Sequence, residues 1–540
     1  MSYPQQPQQA YGQQYQQQNY NQGYNQGQQG KYPEQNNSGP EYQMNAPAPY
    51  AQQQYAPPPQ NVDYGSKPES GERFNPRKRI NDLIPLLLYI ATVFGFTAVS
   101  GIAIHAYVQN GGLGGGLGSG DTGSGVTLNA HTAYLLALVG AAALLLSILY
   151  LMMVRAFTKI ILEITLVLTV VFNVALCIYY WIIKYWSGAI IFTIIAVISV
   201  LSYWSMRKRI PLARLLLQMV IDISKHHKSV YGVCIIALLV QTALSVWYAF
   251  TIAAVYVKWT PDSSACSAAG GSCSSAKVTG LVVFCTFAYL WMSQVIANVS
   301  LCTLAGGPYG GWYYYGPSEA YGGNMPTNPC FKAFVRASTM SLGSIAFGSL
   351  IVTLLELLRM LFSILEQNAR AEGDAIGQIL SCVAGCCVSC ITTMVEWFNR
   401  YAYIEIALYG KSYIPAAKDA WRLMKDRGID ALVNDSLVGM VFRWGAYVIA
   451  ILCAAFGYLY LRYTNPSYNS NGDYSPVIIL YSFLIGFQSG LTLAQALEGG
   501  VSTIFVCLGE DPALMAQRNP ALFEEIRVNY PRVVEGIPRV

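Results

Sequence analysis

Three ionisable residues stand close together in an apolar stretch of the chain, WFNRYAYIEIALYGKSY from Trp397 to Tyr413. Arg400, Glu405 and Lys411 would bear charges where a membrane-spanning helix should have almost none, because a charge in lipid is costly. Two interpretations remain open. The three could form a reactive constellation, or the basic residues could anchor a helix end at the membrane surface beside tyrosine and tryptophan.

A fourth charge lies deep in another apolar stretch, GSLIVTLLELLRMLF. Glu356 is followed three residues later by Arg359, so in a helix the two side chains share one face. The pair could neutralise each other near the outer surface. Alternatively, the carboxylate could face a cavity and balance a cationic substrate.

Amide side chains recur inside other apolar segments, at Gln241, Gln294, Asn298, Gln488 and Gln495. Polar groups within lipid are costly and are therefore candidates for function. They also bond one helix to another. For each amide taken alone, the helix-to-helix bond is the interpretation that we favour.

Residues suited to covalent or metal chemistry are few. The four histidines form no His-Glu-x-x-His pattern, and no Gly-x-Ser-x-Gly turn is present. Cys382, Cys386, Cys387 and Cys390 would share one side of a helix, where small packing residues are commoner than ligands. We therefore expect no catalytic residue, no metal site, no cofactor and no enzymatic activity.

The elements that position these residues follow from composition. The 540 residues are 54% hydrophobic and 11% charged, against roughly 25% charged in an average soluble domain. About 20 mainly apolar residues form a spanning helix, which bonds its own backbone groups. The sequence predicts an all-α polytopic membrane protein of about ten transmembrane helices. Their predicted bounds are 83–108, 131–154, 160–183, 187–205, 229–257, 278–304, 334–362, 379–407, 433–461 and 477–506.

The basic residues predict the orientation. Cytoplasmic loops are enriched in lysine and arginine near helix ends. Arg73, Arg77, Lys78 and Arg79 precede the first helix, and the even-numbered connections carry most of the others. Both termini are therefore predicted to be cytoplasmic. Because helix-end residues account for the net charge of +5, we expect no nucleic-acid partner.

Cys266 and Cys273 fall in a predicted outside loop, CSAAGGSC. Its glycine-rich spacer would let the two thiols close a small ring in an oxidising compartment. The alternative is a pair of free thiols.

Two cytoplasmic connections have a distinct character. Residues 209–227 space their apolar positions helically and are basic, which predicts an amphipathic helix on the inner leaflet. The connection Gly306 to Gly323 is rich in glycine, proline and aromatic residues. It either packs up into the helix bundle or forms an ordinary loop.

The predicted domains are three. Residues 1–73 form a cytoplasmic tail of glutamine, tyrosine, asparagine and proline with too few aliphatic residues to fold, so it is predicted to be disordered. Residues 74–510 form the membrane domain, and residues 511–540 form a cytoplasmic C-terminal tail.

Two segments resemble the signature of the choline transporter-like family. They are LGSIAFGSLIVTLLELLR, from Leu342 to Arg359, and a Cys-Cys pair followed by NRYAYIEIALYGKSYIPAAKDAW, from Asn399 to Trp421. The similarity extends from about residue 74 to 510, and the whole looks like the fungal branch. The resemblance implies a ten-helix solute carrier of the cell membrane. For animal members it implies uptake of choline or ethanolamine.

The expected partners are therefore the lipid bilayer and a small organic solute, choline or a related cation such as ethanolamine. A quaternary ammonium is held by aromatic faces, each worth up to about 2 kcal/mol, together with a distant carboxylate. The alternative for each aromatic side chain is ordinary packing. The predicted substrate-binding residues are Trp247, Tyr248, Tyr289, Trp291, Gln294 and Glu356.

The resemblance also bears on the charged trio. An interfacial anchor would tolerate many sequences, whereas NRYAYIEIALYGKSY matches the family closely. Arg400, Glu405 and Lys411 are thus predicted to form a cytoplasmic gate or brace between the eighth helix and the segment that follows it.

A second function class stays open. The chain could be a non-transporting membrane scaffold, whose N-terminal tail recruits partner proteins of unknown identity while the helices only anchor it.

Overall fold

The computed structural model describes residues 79–109, 130–184, 186–207, 210–259, 274–316, 325–427, 430–464, 475–518 and 520–529. In these ranges the chain forms helices joined by short turns, and no β-strand. A π-helical turn, Ala305–Tyr309, separates the helix that ends at Leu304 from the helix that begins at Gly310. The helices are α1 Leu83–Gln109, α2 Ala130–Ala156, α3 Thr158–Ile182, α4 Trp186–Arg207, α5 Ile210–His226, α6 Ser229–Trp259, α7 Ser275–Leu304, α8 Gly310–Tyr315, α9 Pro329–Ser338, α10 Leu342–Glu372, α11 Ala375–Tyr409, α12 Tyr413–Arg427, α13 Asp430–Thr464, α14 Ser475–Glu510, α15 Pro512–Arg518 and α16 Pro520–Asn529.

Nine helices in the described part of the chain are long and apolar enough to cross a membrane. They are α1, α2, α3, α6, α7, α10, α11, α13 and α14. The remaining predicted span is helix α4, whose described apolar stretch, Phe192–Trp204, is shorter. The prediction of an all-α polytopic fold is confirmed.

Helix α4 lies along α3. The indole of Trp181 donates a hydrogen bond to the Thr193 hydroxyl at 3.1 Å, and the Tyr180 and Phe192 rings stack with centroids 4.8 Å apart. Because these contacts join the end of α3 to the first half of α4, the two helices form an antiparallel hairpin.

The predicted bounds of the seventh span, 334–362, are wrong. Helix α9 ends at Ser338, and α10 begins at Leu342 and continues to Glu372. The hydroxyls of Ser338 and Thr339 donate to the carbonyls of Phe334 and Val335, at 2.7 and 2.5 Å. The helical backbone pattern breaks just beyond them, where the Ser341 N–H donates to the Arg336 carbonyl and the Met340 carbonyl accepts from the Asn81 N–H. The 334–338 segment therefore belongs to a separate surface helix.

The glycine-rich connection packs into the bundle over its described part. Residues 305–311 are all buried, and the π turn contains Pro308. A Cβ on Gly306 would lie 2.6 Å from the Ala407 carbonyl oxygen, so only glycine permits this approach of the connection to α11.

The predicted amphipathic segment 209–227 is helix α5. Its apolar face packs against protein, not only against lipid, since Leu212, Leu216 and Val220 are buried. A hydroxyl contact of 3.0 Å joins Ser224 of α5 to Tyr309 of the π turn. Helix α5 therefore supports the inner side of the bundle.

The described part of the predicted C-terminal tail forms helices α15 and α16, and Phe523 and Ile526 are buried. The predicted N-terminal tail 1–73 and both cysteines of the predicted disulfide, Cys266 and Cys273, lie outside the described residues.

Helix α14 joins two groups of helices. On one side it packs against α13 and α2, and on the other against α5, α6, α7 and α11. Helix α10 packs against α1, α7 and α11. As a result, α6, α7, α10, α11 and α14 surround a common space.

Candidate functional site

A polar cavity of about 370 Å³ lies between these five helices. Tyr403 is its aromatic lining residue in the described structure, and half of its twelve polar lining residues are amides. The polar lining residues are Gln241, Ser293, Gln294, Asn298, Glu396, Asn399, Arg400, Tyr403, Gln488, Thr492, Gln495 and Glu498.

The cavity lies toward one end of the bundle. Gln241 is in the first half of α6, whereas Asn298 and Arg400 are in the second halves of α7 and α11. Since α6 and α7 run in opposite directions through the bundle, these positions meet at the end that the basic residues predict to be cytoplasmic.

Amides hold the lining in place. Gln241 donates to the Ser293 hydroxyl, Asn298 to the Ser349 hydroxyl at 3.0 Å, and Asn399 to the Gly348 carbonyl at 3.1 Å. Each bond joins two different helices, which is the structural role expected of buried amides. The same side chains also face the cavity, so the two interpretations of the amides are compatible.

One cavity amide has a buried acceptor without a partner in the described structure. The Gln241 Oε1 atom is buried and has no hydrogen-bond partner among the described residues. An unmade bond at a buried acceptor costs about 1–3 kcal/mol. A solute that donates a hydrogen bond would remove that cost.

Three charges face the cavity. The guanidinium of Arg400 lies 3.4 Å from the Glu498 carboxylate, with side chains 29% and 14% exposed. Glu396 adds a second carboxylate to the lining. The lining therefore contains two carboxylates and one guanidinium. A second guanidinium, that of Arg443, approaches Glu498, since both groups lie within 4 Å of the position of a Cβ on Gly439.

The predicted aromatic set lies one layer outward from this cavity. The Tyr248 and Tyr289 rings stack with centroids 4.3 Å apart. Their hydroxyls contact Thr286 and Ser245, at 2.9 and 3.0 Å. Because Tyr289 is one helical turn before Ser293, the stacked pair borders the cavity on its outer side.

The two tryptophans of the set are engaged elsewhere. Trp247 donates to the Ser100 hydroxyl at 2.7 Å. Trp291 is 2% exposed and donates to the Ala346 carbonyl at 3.0 Å. Both therefore join helices through their indole nitrogens.

Glu356 lies 3.8 Å from Arg359, as the pairing alternative expects. Of the six predicted substrate-binding residues, the described structure places only Gln294 in the cavity wall. The aromatic cage stays a prediction.

Sequence reasoning missed Glu396, Asn399 and Glu498. A carboxylate inside an apolar helix is a functional candidate by default, so that signal was available for Glu396 and Glu498. Which helix each residue faces depends on helix rotation, which the sequence does not display.

The predicted charged trio is divided between two places. Lys411 lies 3.2 Å from Glu405 and 2.8 Å from Asp419, whereas Arg400 faces the cavity. We call Glu405, Lys411 and Asp419 the cytoplasmic brace, because they join the end of α11 to α12. The Glu405 side chain is 0% exposed, and its Oε1 has no hydrogen-bond partner in the described structure.

The brace keeps Lys411 charged. Burial alone would lower the pKa of the Lys411 ammonium, but the nearby Glu405 and Asp419 carboxylates outweigh that effect and raise the pKa above the ordinary lysine value. The ammonium also lies 4.6 Å from the centre of the Tyr409 ring. The Tyr409 hydroxyl donates to Glu510 of α14 at 3.1 Å.

A short connection links the brace to the cavity. The Tyr413 hydroxyl, at the start of α12, donates to the side-chain Oδ1 of Asn399 at 2.5 Å. Asn399 itself lines the cavity. The Tyr413 backbone N–H donates to Asp82 at 2.8 Å, and burial raises the pKa of the Tyr413 hydroxyl to about 12. A movement of α12 would therefore displace Asn399 in the cavity wall.

The four clustered cysteines are not arranged as metal ligands in the described structure. Cys382, Cys386, Cys387 and Cys390 are exposed on α11. Within the described residues, no group of three histidine, cysteine or acidic side chains is placed to hold a metal ion.

Comparisons with known proteins identify the family of this chain. The sequence pattern of the family described as "Plasma-membrane choline transporter" matches residues 190–513. The protein named Protein PNS1 of Cryptococcus neoformans var. neoformans serotype D is 61% identical over 508 residues, which cover 92% of this chain and 92% of that protein. Protein PNS1 of Mycosarcoma maydis is 46% identical over 525 residues, covering 92% and 97%. Protein PNS1 of Yarrowia lipolytica is 39% identical over 488 residues, covering 88% and 84%.

Proposed function

This chain belongs to the choline transporter-like family and is a multi-pass protein of the cell membrane, and we propose that it carries a small organic cation through the polar cavity between α6, α7, α10, α11 and α14. The observation that supports this proposal most is the presence of two carboxylates, Glu396 and Glu498, among the residues that line the cavity. A cation in the cavity would be attracted by both carboxylates.

The lining bears on the class of cation. A primary ammonium donates hydrogen bonds, and the cavity offers it carboxylates, amide oxygens and the unpartnered Gln241 Oε1. A quaternary ammonium donates no strong hydrogen bond and favours aromatic faces. Tyr403 is the aromatic residue of the cavity wall in the described structure. The proposed solute is therefore ethanolamine-like, with choline as the weaker substrate.

The stacked Tyr248 and Tyr289 rings would act in the same pathway. A solute leaving the cavity outward must pass the layer that these rings occupy. If the stack opens, its ring faces become available to an organic cation. In this proposal, Tyr248 and Tyr289 contact the solute as it moves outward, and the polar cavity is where the solute binds.

Arg400, Glu405 and Lys411 would act separately. Arg400 would hold Glu498 in position at the cavity. Glu405 and Lys411 would hold α12 against the end of α11, and Tyr413 would transmit any change to Asn399. Transport by alternating access needs such a two-state connection between a binding site and a surface helix.

The test is uptake by the purified full chain in proteoliposomes. Radiolabelled ethanolamine should accumulate, unlabelled ethanolamine should compete fully, and choline should compete more weakly. Empty vesicles and protein heated to unfolding are the controls. If neither solute moves nor competes, the proposal of an organic-cation carrier is wrong.

The scaffold alternative depends on the predicted tail, residues 1–73, which lies outside the described residues. A chain that lacks this segment should keep its flux if it is a carrier. A scaffold should lose its cellular phenotype instead.

A further inference from the structure

A groove of about 350 Å³ lies where α12 crosses α11, away from the polar cavity. Phe398 of α11 forms part of its floor, and its ring lies 6.3 Å from that of Trp421 in an edge-to-face arrangement. Ile414 extends the same apolar floor. This groove combines large apolar side chains with basic ones.

Helix α12 has two different faces. Ala416, Ala420 and Leu423 are buried against the bundle. On the opposite side, Ile414 and Trp421 are 54% and 63% exposed. Since α12 directly follows the spanning helix α11 and precedes the spanning helix α13, this outer face lies at the membrane surface, where apolar side chains meet lipid.

Two basic side chains of the groove, Lys418 and Arg422, are close enough along α12 to contact the same anion. Lys418 and Arg422 are four residues apart, so they share one face of α12, and both are exposed. Asp419 contacts Arg422 at 3.6 Å but lies closer to Lys411, at 2.8 Å. Lys418 and Arg422 therefore leave a net positive edge beside the apolar floor.

We propose that this groove binds an anionic phospholipid of the cytoplasmic leaflet. Its phosphate would lie between Lys418 and Arg422, since a guanidinium and an ammonium are good partners for phosphate oxygens. Its acyl chain would pack on Phe398, Ile414 and Trp421. The charge complementarity and the membrane-surface position of α12 both select a lipid with a negative headgroup.

The groove adjoins the cytoplasmic brace. A phosphate that contacts Arg422 would compete with Asp419, whose other partner is Lys411. The lipid would thus bind to the helix that the brace holds. This proposal does not depend on which solute the protein transports.

The experiment uses the full chain in nanodiscs of phosphatidylcholine with one-fifth phosphatidylserine. Lipids retained by the protein are counted by native mass spectrometry after the nanodisc is released. The unaltered chain should retain phosphatidylserine above its share of the bilayer. The double variant K418Q/R422Q should lose most of that enrichment. The matched control K225Q/K332Q removes the same charge from the same predicted side, outside the groove, and should keep it.

A second measurement compares two lipids on the unaltered chain. Brominated phosphatidylserine should quench its tryptophan fluorescence more than brominated phosphatidylcholine at the same mole fraction. The variant W421F then assigns this difference to Trp421 and should remove it. Equal quenching by both lipids would overturn the proposal. So would equal loss of lipid in both double variants. A variant-dependent change in oligomeric state without any lipid preference would assign the groove to a second copy of the chain.

Discussion

Helix α11 has charged side chains in two regions, and these side chains differ in how deeply they are buried. At the polar cavity, Arg400 and Glu498 are 3.4 Å apart and both remain partly accessible. At the cytoplasmic brace, a fully buried Glu405 meets Lys411 at 3.2 Å, and Lys411 meets Asp419 at 2.8 Å. Five residues of sequence separate Arg400 from Glu405, yet one faces a space that could hold a solute and the other is enclosed by protein.

The difference suggests that the burial of a charged side chain decides whether it serves stability or ligand binding. A buried charge must be paired, because its desolvation is not recovered otherwise. A charge beside a cavity can exchange its partner for a ligand at little cost. We therefore expect substitutions in the brace to affect folding first and substitutions in the cavity to affect transport first.

The largest effect should come from Lys411→Met. This change leaves the buried Glu405 carboxylate without its ammonium, and breaking such a pair costs about 3–5 kcal/mol. The purified variant should unfold at a clearly lower temperature in detergent. Arg422→Gln is the control, because its exposed contact with Asp419 is worth about 1 kcal/mol or less. If K411M were as stable as the unaltered chain, the brace would not contribute more to stability than the cavity does.

Glu498→Gln should have the next largest effect, on transport. A hydrogen bond or charge contact to an ionised group contributes about 1.5–3 kcal/mol, so uptake at low solute concentration should fall by about ten- to a hundredfold. The unfolding temperature should change little, since Glu498 borders open space. Glu366→Gln, at an exposed pair with Arg370 outside the cavity, is the matched control and should transport normally. If E498Q lost stability but kept its uptake, the cavity would serve stability and not transport, and this account would be contradicted.

Gly348→Ala tests the link between the regions. An added Cβ would lie 2.5 Å from both Tyr403 of the cavity and Tyr413 of α12. Overpacking of this kind costs about 1–3 kcal/mol, so both stability and uptake should fall together. Gly101→Ala, whose Cβ would meet nothing within 4 Å, should change neither. If G348A lowered only one of the two readouts, the cavity and the brace would be independent.

Gln241→Leu should have the smallest effect. It removes the unpartnered acceptor from the cavity, and a neutral hydrogen bond contributes about 0.5–1.5 kcal/mol. The KM for an ethanolamine-like solute should rise about two- to tenfold, while the KM for choline changes less. The comparable variant Thr242→Val lies on the exposed side of α6 and should alter neither KM. Identical changes for both solutes would argue against a hydrogen bond from the solute to this oxygen.

The sequence was sufficient for the fold, because long apolar runs have one way to satisfy their backbone groups in lipid. Helix α9 ends at Ser338, where hydropathy alone continued it, and the backbone groups of Met340 and Ser341 bond outside the helical pattern. Local bonds of this kind do not alter the average hydropathy of a segment.

The site was less accessible to sequence reasoning. Gln241, Gln294 and Asn298 were recognisable as costly polar groups, but their common cavity required the rotation of each helix about its axis. The pairing of Arg400 with Glu498 joins two helices that are distant in sequence. The contact between Glu405 and Lys411 was easier to anticipate, since the two residues are near neighbours along the chain. Their role as a gate or brace stays a prediction.

The most direct test of the central claim asks whether solute occupies the cavity and not the brace. Thr492→Cys places a thiol in the cavity wall, and Ser412→Cys places one beside Lys411. The rate of labelling by a small cationic thiol reagent is measured with and without ethanolamine, after subtraction of label on the unaltered chain. We predict that ethanolamine slows labelling at position 492 several-fold and leaves position 412 unchanged. Labelling at position 492 that does not respond to concentrations that block uptake would contradict this account.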